Sequence, residues 1–317
     1  MRLILSNLLV IYVLGKNHYN NYITKGVYVK LILFIFILSK AVSAQDYKLP
    51  ILGSGFVKVY RFETGHNDSP EALVYARGKW GTTHRSTHNA FAFDHNGERY
   101  LIDTGFGDGI EKQFQKMPFW AKLLFRYEQT ENIKEVQKQN PKGIFLTHLH
   151  WDHASALEEF LGSDVIVDKE EYKDAFSEGR PEHAFLSSQY DHSEINWKFI
   201  KWTKKKYGPF KKYYDVFSDG SVILLPLYGH TKGSIGVLVR VSSKERIFFV
   251  GDSVWHASQI YEKSHKMWLS SCLTDGSKEE VFEKIILMHN VWRENKDIKF
   301  APSHHYEAIK FIPSLKL

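Results

Sequence analysis

The sequence predicts an α/β fold in a single domain after residue 45, and three observations predict it. Strand-like segments crowd together early, the period then switches to strands alternating with helices, and the apolar strands repeatedly end in histidine or aspartate.

The early segments are residues 55–62 (GFVKVYRF), 71–77 (EALVYAR), 89–94 (NAFAFD) and 99–105 (RYLIDTG), with the turn HNGE between the last two. Together they predict a β-meander. Residues 109–139 mix charged and apolar residues at helical spacing and lead into GIFLTHLH, a buried strand ending in histidines. ASALEEF (154–160) reads as a helix with Asp152 near its start, and DVIVDKEEYKDAF (164–176) as a strand followed by a helix. Residues 177–217 are the least regular. There, KFIKWTKKKYGPFKKYYDVF mixes seven lysines with aromatic residues and predicts an inserted helical excursion with a solvated lysine face. The sharper alternative is a cationic flap for an anionic substrate or membrane surface. Strands return at 221–227, 235–241 and 246–252. An amphipathic helix over 278–295 follows, with Val281, Ile285, Ile286 and Val291 facing the core, and a last strand, IKFAPSHH (298–305), ends in two histidines.

Composition sets the outer bounds. With 317 residues, 43% hydrophobic and 15% aromatic, the chain buries a core, which excludes a disordered protein. The formal charge of +6 suggests an anionic partner until its location is considered. Arg2, Lys16, Lys25, Lys30 and Lys40 lie in the first 44 residues without any acidic residue, and setting them aside leaves 37 basic against 36 acidic. That leader carries Lys30, the apolar run LILFIFIL over 31–38 and then SKAVSA, the parts of a secretory signal cleaved after Ala44. The run falls short of the ~20 apolar residues of a spanning helix, so no stable membrane span is expected after processing. The expected organisation is therefore a leader (1–44) and a catalytic domain (45–317), periplasmic or secreted. An earlier apolar stretch, 3–14, and the polar KNHYNNYITKG do not suit a single signal peptide; a start near Val27 would need a non-standard codon, since no methionine lies between Met1 and Met117. Cys272 is the only cysteine, which excludes an intrachain disulfide, a thiolate zinc cage and a lipid anchor at the cleavage point.

The chemistry begins at IFLTHLHWDHASAL, where His148, His150, Asp152 and His153 form H-x-H-x-D-H. Alternate residues of an extended segment share a face, so His148 and His150 point together, and the following turn brings Asp152 and His153 to a neighbouring point. One short loop can thus serve two metals. By chance, four such fixed positions would match in roughly one chain in several hundred. His230 in LYGHTKGS, Asp252 in FFVGDS, and His304 and His305 in APSHH also follow apolar strands.

H-x-H-x-D-H, then G-H-T-x-G-S, then G-D-S, then a terminal strand with histidine resembles the metallo-β-lactamase fold superfamily, from about Phe56 to His305. LIDTG belongs to the same pattern. The resemblance implies an αββα sandwich of two mixed β-sheets flanked by helices, with the site along one edge of the sheets. It implies that His148, His150 and His230 hold one metal, that Asp152, His153 and His304 hold a second, and that Asp252 bridges them; His305 is the alternative to His304. Asp103 in LIDTG resembles the family's carboxylate that orients a ligand histidine, or simply caps the strand end. Ligands without thiolate suit zinc, with iron or manganese also compatible. Two cations roughly 3.5–4 Å apart generate a bridging hydroxide near neutral pH, and Asp152 orients it and shuttles its proton as the catalytic acid and base.

The full bridged set looks more like the lactonase, glyoxalase II and phosphodiesterase branches than like true β-lactamases. Many lactonases of this superfamily carry a tyrosine three residues after the bridging aspartate; this chain has Trp255 there, with Tyr228 or His256 as possible substitutes. The polar loop GTTHRSTHN (81–89) offers His84, Arg85 and His88 as substrate contacts. Nothing resembles basic RNA-processing elements, so nucleic acid is not expected. The expected partner is a small molecule, and the expected activity is cleavage of a small ester, lactone or related acyl substrate. β-Lactam hydrolysis is the first alternative, and a non-catalytic metal-binding protein on the same fold is the second.

Overall fold

A computed structural model describes residues 46–130, 133–177 and 184–315. The leader, its cleavage point after Ala44 and the start near Val27 lie outside the described residues. Tyr47–Leu317 forms one compact unit with its own core.

The strands are β1 (Lys58–Pro70), β2 (Thr83–His95), β3 (Glu98–Ile102), β4 (Glu128–Gln129), β5 (Gly143–Phe145), β6 (Asp164–Val167), β7 (Asn196–Phe199), β8 (Tyr214–Asp215), β9 (Val222–Pro226), β10 (Ile235–Ser242), β11 (Glu245–Phe249) and β12 (Ile298–Ala301). The helices are α1 (Ile110–Phe114), α2 (Phe119–Leu124), α3 (Ile133–Gln137), α4 (Lys169–Ala175), α5 (Ser258–Glu262), α6 (Trp268–Thr274), α7 (Lys278–Glu294) and α8 (Tyr306–Ile309). One sheet has the order β4-β1-β2-β3-β5-β6-β7, the other β12-β11-β10-β9-β8. In the first, β1, β2 and β3 pair antiparallel, the expected meander, while β3, β5, β6 and β7 run parallel. In the second, only the β11–β12 pair is parallel.

The period of two along each strand sorts its side chains into layers. Phe91 and Phe93 of β2 and Val222 and Leu224 of β9 meet between the two sheets, with Phe145, Val237 and Phe249. Their neighbours Ala90 and Ala92 face outward, under Leu157 and Ala175. On the far side Ile223 and Leu225 face α7 through Val281, Ile285, Met288 and Val291. The result is the αββα sandwich. Each large side chain buried this way is worth roughly 1.5–3 kcal/mol relative to exposure. Ser277 caps α7 by accepting from the Glu280 amide, a cap that fixes where the long helix starts.

Several sequence expectations are corrected. EALVYAR is not a strand: β1 runs unbroken to Pro70, which has no amide to donate, and Glu71–Leu73 turns as a short 3-10 helix. ASALEEF is not an α-helix; only Leu157–Phe160 coils, as 3-10, because Ser155 is tied to Gln113 and Gly107 instead of to its own turn. GIFLTHLH stops as a strand at Phe145. The lysine-rich stretch within 177–217 is no helical insertion. Its described residues give β7 and β8, which pair into the two sheets as edge strands; of its seven lysines only Lys198 lies in a strand, and the others fall in the connection between the two. Ile286 is only half-buried, and Met288 fills the core under α7 instead.

Candidate metal centre

Every segment bearing a candidate ligand leaves its sheet at the same edge. The loop after β5 carries His148, His150, Asp152 and His153; the turns after β9, β11 and β12 carry His230, Asp252 and His304. All seven are buried. His150 Nδ1 lies 2.9 Å from His230 Nε2, and the His148 ring lies against both. On the other side His304 Nε2 is 3.2 Å from Asp152 Oδ2. Asp252 stands between the two groups. Its Oδ1 is 3.2 Å from His153 Nε2, and its Oδ2 is 3.0 Å from His304 Nε2 and 3.7 Å from His230 Nε2.

Three of the inward atoms, His148 Nε2, His153 Nε2 and Asp252 Oδ1, are buried with no hydrogen-bond partner. Buried polar atoms are rarely left so, because desolvating them without a partner is costly. Lone pairs that converge with nothing to accept from are the signature of cation donors, and the residues fit a pair of divalent metal ions.

The outward nitrogens explain the aim of these lone pairs. His153 Nδ1 donates to Asp103 Oδ2 at 2.8 Å, His230 Nδ1 to Asp275 Oδ1 at 2.8 Å, and His304 Nδ1 to the Thr87 carbonyl at 2.9 Å. With the proton held outside, the inner nitrogen is left as a lone pair. Asp103 also accepts from the Thr147 amide at 2.7 Å and holds a left-handed φ of 55°, so it is anchored as well as anchoring. Asp275, which the sequence did not single out, also meets the buried ammonium of Lys266. Burial opposes its ionisation, but the Lys266 charge and the His230 proton win and hold its carboxyl below the usual range.

Glu171 of α4 was also missed. Its Oε1 accepts from the Leu149 amide at 2.8 Å and its Oε2 from the Gly233 amide at 3.1 Å and from the Thr231 hydroxyl. One buried carboxyl thus ties the loop holding His148 and His150 to the loop holding His230. Gly233 is required there, because a Cβ would fall 2.2 Å from the Glu171 nitrogen. Burial pushes this carboxyl up to about 7, against the three hydrogen bonds that favour its charge.

Burial and neighbouring histidines pull His148 and His150 well below the ordinary range, leaving both neutral. For Asp152 and Asp252, burial opposes ionisation, but the neighbouring His153 and His304 imidazoles outweigh it and hold both carboxyls below the usual range.

The centre opens into a cavity of about 140 Å³. Asn67, Ser69 and Ser86 form a polar wall; Leu73, Phe125, Trp151, Met267, Leu269 and Leu273 form an apolar one. Of the proposed contacts, His88 and Trp255 line it and His84 does not. His88 Nδ1 donates to Asp152 Oδ2 at 3.0 Å, and its Nε2 lies 3.2 Å from the Asn67 side chain. Trp255 donates its indole N–H to Asp252 Oδ2 at 2.8 Å, so that proton is already committed. Neither suggested substitute for the missing tyrosine lines the cavity: Tyr228 donates to Asp168, and His256 lies in a different cluster. Arg85 pairs with Glu63.

That cluster is a second group of imidazoles, His84, His256 and His305. His305 points away from Asp252 and accepts the Ala257 amide on Nδ1 at 3.1 Å; His256 Nδ1 accepts the Ser258 amide at 3.1 Å. Both therefore carry their proton on the inner nitrogen. His84 donates Nε2–H to the His304 carbonyl at 2.8 Å, leaving one inward lone pair against two inward N–H groups. That set makes hydrogen bonds and repels a cation. Burial drives His84 down to about 4 and His305 to about 3, so the trio stays neutral.

A family model for the metallo-beta-lactamase superfamily matches residues 85–289. N-acyl homoserine lactonase AttM of Rhizobium radiobacter is 27% identical over 192 residues, 57% of this chain and 70% of that one. Among solved structures, an N-acyl homoserine lactone hydrolase with the product N-hexanoyl-L-homoserine at its catalytic metal centre aligns with a TM-score of 0.63. The identity is 18%, over 82% of this chain and 98% of that one. AidC, a dizinc quorum-quenching lactonase, aligns with a TM-score of 0.54 at 14% identity, over 81% and 90% of the two chains.

Proposed function

Given that the chain belongs to the metallo-beta-lactamase superfamily, whose hydrolases depend on metal, we propose that it cleaves a small lactone or ester with an apolar acyl group. The observation that carries this is the convergence of seven buried side chains, three with orphaned donor atoms, at one end of a half-apolar cavity. His148, His150 and His230 would hold one metal and Asp152, His153 and His304 the other, with the Asp252 carboxylate between the two groups. Zinc suits this nitrogen and oxygen set, and a dizinc lactonase of the same fold supports the pair. When bound, the two ions supply an acidified water and a Lewis acid for the carbonyl.

The chain's own residues do the rest. The apolar wall seats the acyl chain and leaves the ester group facing Asp152 and Asp252. The His88 N–H holds Asp152 Oδ2, which leaves Oδ1 to take the proton of the attacking water. The same oxygen returns it to the departing alkoxide, so that lactone and water give a hydroxy acid. Trp255 fixes Asp252 instead of polarising the carbonyl, which separates this chain from tyrosine-bearing lactonases.

The test is kcat/KM of the zinc-loaded protein on an N-acyl homoserine lactone against a chromogenic cephalosporin. A strong lactone preference is expected; a cephalosporin preference would overturn the reading. The location is part of the same proposal: the chain is exported and cleaved after Ala44. Sequencing the N-terminus of the exported protein checks this, and a mature chain still beginning before residue 27 would sink it.

A further inference from the structure

Around the cavity the chain exposes large apolar side chains that its own fold does not use. α2 packs its inner side, Ala121 with Trp120, against the cluster containing Trp151, and runs into cavity-lining Phe125. Its outer side leaves Phe119 77% and Leu123 52% exposed. α6 frames the cavity from elsewhere in the chain with Leu269, Ser270 and Leu273, and begins with Trp268, 71% exposed. Leu269 both lines the cavity and is exposed, so the apolar wall is continuous with the surface.

An isolated exposed apolar residue means little, but large ones gathered at one rim mark a contact surface. Charge identifies the partner. Residues 111–128, EKQFQKMPFWAKLLFRYE, contain Lys112, Lys116, Lys122 and Arg126 against Glu111 and Glu128 at the two ends, an excess of cations although the chain beyond the leader is nearly neutral. Lys112, Lys116 and Arg126 are exposed, and the Lys278 ammonium lies 5.5 Å over the Trp268 ring. Aromatic and aliphatic side chains beside cations on short helices suit the boundary between headgroups and acyl chains of an anionic bilayer. A protein partner needs no such excess of cations beside the apolar side chains.

We infer that α2 and α6 dock the rim of the cavity onto an anionic lipid surface, from which an acyl chain enters along Leu269 without crossing water. The docking needs no membrane span, and among the described residues no helix is long and apolar enough to make one. The substrate half of this inference rests on the acyl-hydrolase reading; the docking half does not.

The experiment uses the chain from Gln45, which holds the compact unit. Sedimentation with phosphatidylglycerol-containing vesicles is compared with phosphatidylcholine vesicles, alongside turnover of a short-chain lactone free in solution. Binding is expected only to the anionic vesicles. F119S/L123S should weaken it by on the order of tenfold, and K116Q/R126Q by roughly 25-fold, since each surface cation near an anionic membrane counts for roughly fivefold. Soluble-lactone turnover should not change in either variant, which also shows that both are folded. Binding that ignores these substitutions overturns the inference, as does equal binding to both vesicles. So does concentration-dependent self-association abolished by F119S/L123S, because the rim then belongs to a second copy. Vesicle binding without lactone turnover would leave the docking standing and remove the proposed substrate.

Discussion

The two histidine clusters use the same side chain and are joined by consecutive residues, His304 and His305, yet they prepare opposite surroundings. Around the first, Asp103, Asp275 and the Thr87 carbonyl accept from the outer nitrogens of His153, His230 and His304, with the Lys266 ammonium also 3.0 Å from His230 Nδ1. Around the second, two outer partners are the amides of Ala257 and Ser258, which push the protons inside. Adjacent carboxylates complete the first and are absent from the second, apart from Glu71 at 3.5 Å from His256. A count of imidazoles does not therefore identify a metal site; the hydrogen bond on the far nitrogen does.

The comparison can be broken most forcefully at Asp252. D252A should lower kcat/KM by more than the roughly 10–100-fold typical of losing an outer partner, and cut bound zinc from two ions to one per chain. Full activity, or a wild-type stoichiometry of three, would put the second cluster on an equal footing. The next effect concerns titration, since only the first cluster hangs on a carboxyl poised near neutrality. Glu171, pushed up to about 7 from an ordinary 4.5, favours the folded state fully below the ordinary value. That advantage is lost as pH rises through 7. Relative to E171Q, which does not titrate, the wild type should lose up to about 3 kcal/mol of stability between pH 5 and 9 in denaturant titrations. A difference that stays constant with pH would remove the strained carboxyl. D275N, which alters the acceptor behind His230, should weaken one zinc by roughly 10–100-fold in chelator competition. Smallest of all for metal, H305A should leave zinc affinity unchanged and cost about 1–3 kcal/mol of stability by orphaning a buried amide. Loss of zinc in H305A would mean that the tautomers are misassigned.

The metal-centre residues were legible in the sequence because four of them fall within six positions and the rest follow apolar strands. Their outer partners were not. Asp275 and Glu171 lie in helical or turn segments where a lone carboxylate has no pattern, and only the folded approach of Gly233 shows why Glu171 matters. His88 could be suspected from its polar stretch, expected as a loop but folded mostly into β2, while its bond to Asp152 joins residues 64 apart. The sandwich itself followed from strand and helix order, while β7 and β8 were hidden because strands of four and two residues are too short to show an alternation. EALVYAR misled for the opposite reason, since its apolar spacing imitates a strand that Pro70 has already ended.

The seven converging side chains are spread from His148 to His304, across both sheets. A chain that has completed only the first sheet therefore holds four of them; His230 follows β9, Asp252 follows β11, and His304 comes only with the last strand beside β11. The centre is complete only once both sheets are in place, and a cation that meets the first sheet alone finds four of its seven donors.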